Sequence, residues 1–255
     1  MVFPSDRGLE GGACTRGLAA AHLLGSDDRL YEASVDGRRV SSSEAVTQVG
    51  EKLADYEQCE IALLVDGYRP VESIMGIRCL VSAAMPEAHL GVCLPPEDET
   101  LLRAGMQPGP ELEKVAEADL VLALGDPFST HPPLSRPVRD MQLKGKGGRL
   151  VCVDTARGRT ARAADRYVQV HPGRYAAMLC ALAAECGNGV ISSALGGLPA
   201  EGICQESGVD YDVVGELAGA LEEADSAAVL LSTSTGRHSH PLAAAVSVRS
   251  LAEAC

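Results

Sequence analysis

The chain has 255 residues, 46% of them hydrophobic and 22% charged, with a formal net charge of −13. That balance excludes a disordered tail, and the acidity argues against a broad nucleic-acid surface or docking on anionic lipid, both of which need clustered Lys and Arg. Aromatic residues are only 3%, with no Trp, so the core is expected to be Ala, Val and Leu in helices packed on a buried sheet.

Leu18–Leu24 is a short helical pattern after a glycine-rich entry at Gly8–Gly12. Val40–Lys52 is a stronger one, with Ser42 or Ser43 as its cap and Ala45, Val46, Val49 and Leu53 at helical spacing. Ile61–Val65 reads as a buried strand ended by Asp66-Gly67, Pro70–Ala84 as a helix, and His89–Leu94 as a weaker strand. Pro95–Pro110, rich in Pro, Gly and acids, reads as a loop, and Glu111–Ala118 as a short helix.

The clearest stretch follows. Ala118–Leu124 is a continuous apolar strand running into Gly125-Asp-Pro-Phe-Ser-Thr-His-Pro132. A helix from Pro133 to about Leu143 comes next, broken by Gly145-Lys-Gly-Gly148. Arg149–Val153 is a second buried strand ending at Asp154, and Tyr167–Val170 a short third. Pro172 precedes a helix over Gly173–Glu185. A Gly-rich connection, Glu185–Asp210, leads to a helix at Val213–Ala224, a strand at Ala227–Ser232 and a helix at Pro241–Ala254. Apolar strands alternating with helices predict an α/β fold: parallel, doubly wound, Rossmann-like sheets with helices on both faces. Three segments are expected: 1–60 contributing to a first lobe, 61–110 as a small α/β segment, and 111–255 as a Rossmann-like domain of dinucleotide-binding type.

In such sheets ligands bind beyond the carboxyl ends of the strands. Four polar loops are expected there: Asp66–Arg69, Gly125–His131, Asp154–Thr160 and Ser232–His240. Gly125 lets a backbone approach a ligand. Ser129, Thr130 and His131 are expected near the start of the following helix, where free N–H groups favour a phosphate. Asp154 is placed to accept hydrogen bonds from ribose hydroxyls, with Arg157, Arg159 and Arg162 adding local positive charge. Each has a plainer reading: Ser-Thr before a helix caps it, and a strand-terminal Asp satisfies a turn. No GxGxxG is present, which disfavours a simple NAD-binding unit.

Nine cysteines stand at 14, 59, 79, 93, 152, 180, 186, 204 and 255, with no CxxC pair. Most are expected to be core thiols in a reduced, cytoplasmic setting, since Met1–Asp6 shows no signal-peptide pattern and no eighteen-residue apolar run occurs. Cys180 with Cys186, His89 with Cys93, and His238 with His240 are spaced as candidate ligand or reactive pairs, but each reads better as structural or as a polar loop.

The order of these segments resembles the molybdopterin oxidoreductase superfamily, which includes formate dehydrogenases and the tungsten/molybdenum subunit of formylmethanofuran dehydrogenase. The likeness begins at Ala13-Cys-Thr-Arg-Gly17 and continues through Asp28-Arg-Leu30, Gly37-Arg-Arg-Val40 and Ser43-Glu-Ala45. It is strongest at Ala118-Asp-Leu-Val-Leu122, Gly125–Pro132, Leu150-Val-Cys-Val-Asp154, Ala164-Asp165 and His171-Pro-Gly173, with Ala227–Gly236 matching a later strand and loop. The resemblance implies a truncated core of that fold, with the loops at Gly125–Pro132, Asp154–Thr160 and Pro172–Ala176 around a molybdopterin guanine dinucleotide.

The departures from the pattern matter equally. Of the N-terminal cluster motif only Cys14 remains, and one thiol cannot hold a [4Fe–4S] cubane. Where the family has Pro-Gly-Thr-Asp, this chain has Pro172-Gly-Arg-Tyr175, without the carboxylate that pairs with guanine. Cys93 falls near the position of the metal-ligating Cys, between Val92 and Leu94-Pro-Pro-Glu, which do not match. The chain of 255 residues is also short for enclosing two pyranopterin dinucleotides. The pattern is similar to the metal-free counterpart of that tungsten/molybdenum subunit in the bacterial formyltransferase/hydrolase complex. That implies a non-catalytic, cytoplasmic scaffold, with the other subunits of that complex as partners and no cofactor or metal of its own. A vestigial pocket is then expected at Gly125, Ser129, Thr130, His131, Asp154 and Arg157. The alternative is a compact oxidoreductase subunit holding molybdopterin guanine dinucleotide with Mo or W, with Cys93 as metal ligand. A regulatory nucleotide-binding domain is the third reading.

Overall fold

The structure is a computed structural model that describes residues 15–106, 109, 111–144, 147–232 and 240–254. Cys14, the Gly8–Gly12 entry, Gly145, Lys146, His238 and Cys255 lie outside the described residues. The chain divides into two compact units, Met1–Leu94 and Pro95–Cys255.

The described part of the first unit begins with α1 (Thr15–Leu24), followed by a hairpin of β1 (Ala33–Val35) and β2 (Arg38–Val40). The hairpin was not expected. Asp36 and Gly37 both take positive φ, 50° and 77°, the conformation of a two-residue turn whose twist matches the strands. Helix α2 (Ser42–Ala54) is capped by Ser41, whose Oγ accepts the Glu44 N–H at 3.2 Å, one position ahead of the expected cap. Then come β3 (Ala62–Asp66), α3 (Val71–Ala84) and β4 (His89–Cys93), with β3 and β4 paired in parallel. The core beneath them is small: Ile61, Val65, Val81 and Met85 are its buried apolar residues among those described. The expectation of a fully buried strand at Ile61–Val65 is therefore corrected, because Leu64 is 77% exposed.

The second unit begins with α4 (Pro96–Arg103), in a stretch expected to be a loop. Pro96 sits in the first helical turn, where its missing N–H costs nothing, so the proline starts a helix there. There follow α5 (Leu112–Ala116), β5 (Leu120–Leu124), α6 (Pro127–Thr130), a 3₁₀ turn at Pro132–Leu134 and α7 (Ser135–Lys144). Next are β6 (Arg149–Asp154), α8 (Arg159–Ala163), β7 (Arg166–Gln169) and α9 (Tyr175–Glu185). The Gly-rich connection contains two helices, α10 (Gly189–Ala194) and α11 (Ala200–Ser207). The unit ends with α12 (Tyr211–Glu222), β8 (Ala227–Leu231) and α13 (Pro241–Ala254).

Among the described residues its four strands form one parallel sheet in the order β7-β6-β5-β8. Every residue of β5 is buried. The alternation of side chains divides them between two cores. Leu120, Leu122 and Leu124 pack with Leu179 and Leu182 of α9, Leu217 of α12 and Leu251 of α13. Val121 and Ala123 pack on the other side with Val115 of α5 and Val138 and Met141 of α7. Helices thus cover both faces, and the doubly wound parallel architecture expected from the apolar strands is what the chain adopts. No helix among the described residues is long and apolar enough to cross a membrane.

Candidate functional site at the carboxyl edge of the sheet

The expected pocket residues of the second unit gather where β5 and β6 end. Gly125 follows β5 with φ 80°, a left-handed conformation that suits glycine. Its N–H donates to the Val153 carbonyl at 2.9 Å, and the Ser232 N–H donates to the Leu124 carbonyl at 2.9 Å. The ends of β6, β5 and β8 are therefore held level.

The next residue, Asp126, organises the loops. Its Oδ1 accepts from the Thr160 N–H at 2.9 Å and the Thr160 hydroxyl at 2.6 Å. Its Oδ2 accepts from the Ser129 hydroxyl at 2.7 Å and the Arg159 N–H at 3.0 Å. Thr160 is fully buried, and its Oγ1 also accepts the Phe128 N–H at 3.0 Å. Burial pushes the Asp126 carboxyl up, but the hydrogen bonds from Thr160, Ser129 and Arg159 outweigh it and hold the group below its ordinary value.

Ser129 and Thr130 lie on the four-residue α6, and His131 ends it. Their N–H groups were expected to be free at a helix start. Those of Ser129 and Thr130 instead donate to the Asp126 carbonyl, and that of His131 to the Pro127 carbonyl. The Thr130 hydroxyl lies 3.2 Å from the Ser232 hydroxyl, and His131 Nδ1 lies 3.0 Å from Thr130 Oγ1. Asp154 ends β6, where its Oδ1 accepts the Thr155 N–H at 2.7 Å and its carbonyl accepts the Tyr167 hydroxyl at 3.1 Å. Arg157 is exposed in the loop that follows. Asp126, Thr160 and Ser232 join the cluster without having been singled out. Nothing local to Asp126 reveals a partner more than thirty positions on.

Tyr175, in the stretch Pro172-Gly-Arg-Tyr175, is completely buried, and its hydroxyl donates to the Val153 carbonyl at 3.3 Å. Its neighbour Arg174 pairs with Glu206 at 2.7 Å. Burial pushes the Tyr175 phenol well above its ordinary value, with the charges of Asp154 and Cys152 adding to the effect. The Cys152 thiol is pushed up to about 12 by burial and the Asp154 and Asp126 carboxylates, which makes it a core thiol rather than a nucleophile. Of the donors at these strand ends, the Ser129 hydroxyl and the Arg159 and Thr160 amides are held by the Asp126 carboxylate, and Tyr175 is held in the core.

In the first unit, Cys93 is exposed at the end of β4, and its carbonyl accepts the Gly67 N–H at 2.9 Å. His89 begins the same strand, about 13 Å away by strand rise, so the two do not form a pair. Cys180 lies beside Ser247 at 3.2 Å. No group of three or more metal-ligating side chains occurs among the described residues. A cleft of about 510 Å³ lies at the opposite, amino edge of the second unit's sheet, where Arg149 and Arg166 begin their strands.

The fold and its loops define an open parallel α/β domain whose polar face is the carboxyl edge of the sheet. Comparison with known proteins finds a local likeness in sequence and a broad likeness in fold. The chain is 35% identical over 72 residues to the F420-dependent formate dehydrogenase subunit alpha of Methanocaldococcus jannaschii, covering 28% of this chain and 10% of that protein. In fold it is similar to acetylene hydratase from Pelobacter acetylenicus, with a TM-score of 0.69 and 16% identity, over 95% of this chain and 37% of that one. No protein-family model matches the chain. It spans well under half the length of either relative.

Proposed function

We propose that the chain is the non-catalytic, metal-free member of a formyltransferase/hydrolase complex, the counterpart of the tungsten/molybdenum subunit of formylmethanofuran dehydrogenase. It serves as a frame for the partner subunits that carry the chemistry of tetrahydromethanopterin-linked one-carbon metabolism, from formaldehyde to formate. The observation that carries this reading is the surface of the first unit. Val46, Leu64, Val71, Met75, Leu90 and Val92 are all exposed there, over a core of four buried apolar residues among those described. Such surface is characteristic of protein–protein contact. The second unit has the reverse balance, with most of its large apolar side chains buried.

Two further points support the reading. The strand-end donors are taken up by the Asp126 carboxylate and by main-chain carbonyls. The formate dehydrogenase relative acts, by its name, on formate, the one-carbon acid that formyl hydrolysis releases.

The test is co-purification of the native protein with elemental analysis of the product. Association with formyltransferase and hydrolase subunits, without stoichiometric Mo or W, is the expected outcome. A stable monomer free of such subunits would overturn the reading. Stoichiometric Mo or W would favour the oxidoreductase alternative.

A further inference from the structure

The Asp126 carboxylate receives four hydrogen bonds from three residues in two separate loops. Two donors are main-chain amides at the start of α8, and two are hydroxyls, of Ser129 on α6 and Thr160 on α8. Converging N–H and O–H groups of this kind favour an oxyanion, and charge-assisted bonds of this length are the strong ones. Here the chain supplies the anion itself. The fit leaves no spare room, since a Cβ on Gly158 would collide with the Asp126 carboxylate. The same cluster extends inward, because the Thr160 hydroxyl that donates to Asp126 also accepts the Phe128 amide. One carboxylate therefore links the loop after β5 to the loop after β6.

We propose that Asp126 is a built-in counter-anion. It fills the donor set between the two loops, fixes them against each other, and closes this position to phosphate or another small oxyanion. Asp126 is a positioning residue in this account. The proposal is independent of the subunit reading and holds whichever partners the chain has.

Chemical rescue tests it on the full chain. In Asp126→Ala the donors lose their anion, and the thermal midpoint is expected to fall by roughly 5 °C or more. Inorganic phosphate or formate should restore at least half of that loss while leaving the wild type unmoved. Asp126→Asn fills the space with a neutral amide, so it should be destabilised and gain nothing from either anion. Equal stabilisation of the wild type and Asp126→Ala by the anions would overturn the proposal. So would an Asp126→Ala protein that neither anion stabilises, or an Asp126→Asn protein as stable as the wild type. Should Asp126→Ala fail to fold, amide exchange in Asp126→Asn decides the matter. Exchange at Arg159 and Thr160 is expected to rise at least tenfold with Leu122 unchanged, and unaltered exchange at those two amides would overturn the proposal.

Discussion

Asp126 keeps its charge in a place that burial alone would make unfavourable, because four donors converge on the ionised form. The sign of its pH dependence follows. Its folded value lies below the ordinary 3.8, so it stabilises the fold above that value, and the contribution is lost as pH falls through the lower folded value. Urea unfolding of the wild type and Asp126→Asn between pH 6 and pH 2 should show the wild type's advantage intact at the upper end and shrinking below about pH 4. An advantage that stays constant to the acid limit would contradict the hydrogen-bonded carboxylate. Tyr175 makes the complementary point at the same scale. Its position just after Pro172-Gly-Arg could be read from the sequence, but its place in the core could not. That place depends on a carbonyl of β6, more than twenty positions earlier.

At the scale of elements, β5 and β3 have similar apolar sequences and opposite fates. β5 is covered on both faces, so Leu122→Ala should cost about 2–5 kcal/mol by chemical denaturation. Leu64→Ala, on an exposed side chain of β3, should stay within about 0.5 kcal/mol in the isolated protein. Similar losses at both positions would show that the first unit's sheet is buried after all. Five consecutive apolar residues identify a strand, but they do not say how many layers cover it. The strands and helices around β5 were legible because their apolar runs are long and their glycine stops clear. The hairpin at Asp36-Gly37 carried a readable turn signal between strands too short to register as apolar runs. Helix α4 was masked by its prolines and acids, and α10 and α11 by the glycines around them. The expected pocket residues were legible as a set of strand-end loops. What they bind to was not, because the Asp126–Thr160 pair is made only when two crossovers bring the loops together.

At the scale of the whole molecule, the two units have unequal cores. Among the described residues, the first rests on Ile61, Val65, Val81 and Met85, whereas the second has helices packed on both sides of a sheet. Unfolding of the isolated chain should therefore not be a single transition. Amides of Val65 and Val81 should exchange at lower denaturant than those of Val121 and Leu122, and coincident exchange across both units would contradict this. The sheet order has a further consequence during synthesis. β5 lies between β6, its near neighbour in the chain, and β8, whose Ala227 pairs with Leu120. As the chain leaves the ribosome, β5, β6 and β7 can assemble while β8 is still unmade. One side of an entirely apolar strand then waits, unpaired, until β8 is translated. Over that interval the nascent chain resembles an aggregation-prone edge, and a chaperone that covers it would act on β5, well away from the strand-end loops.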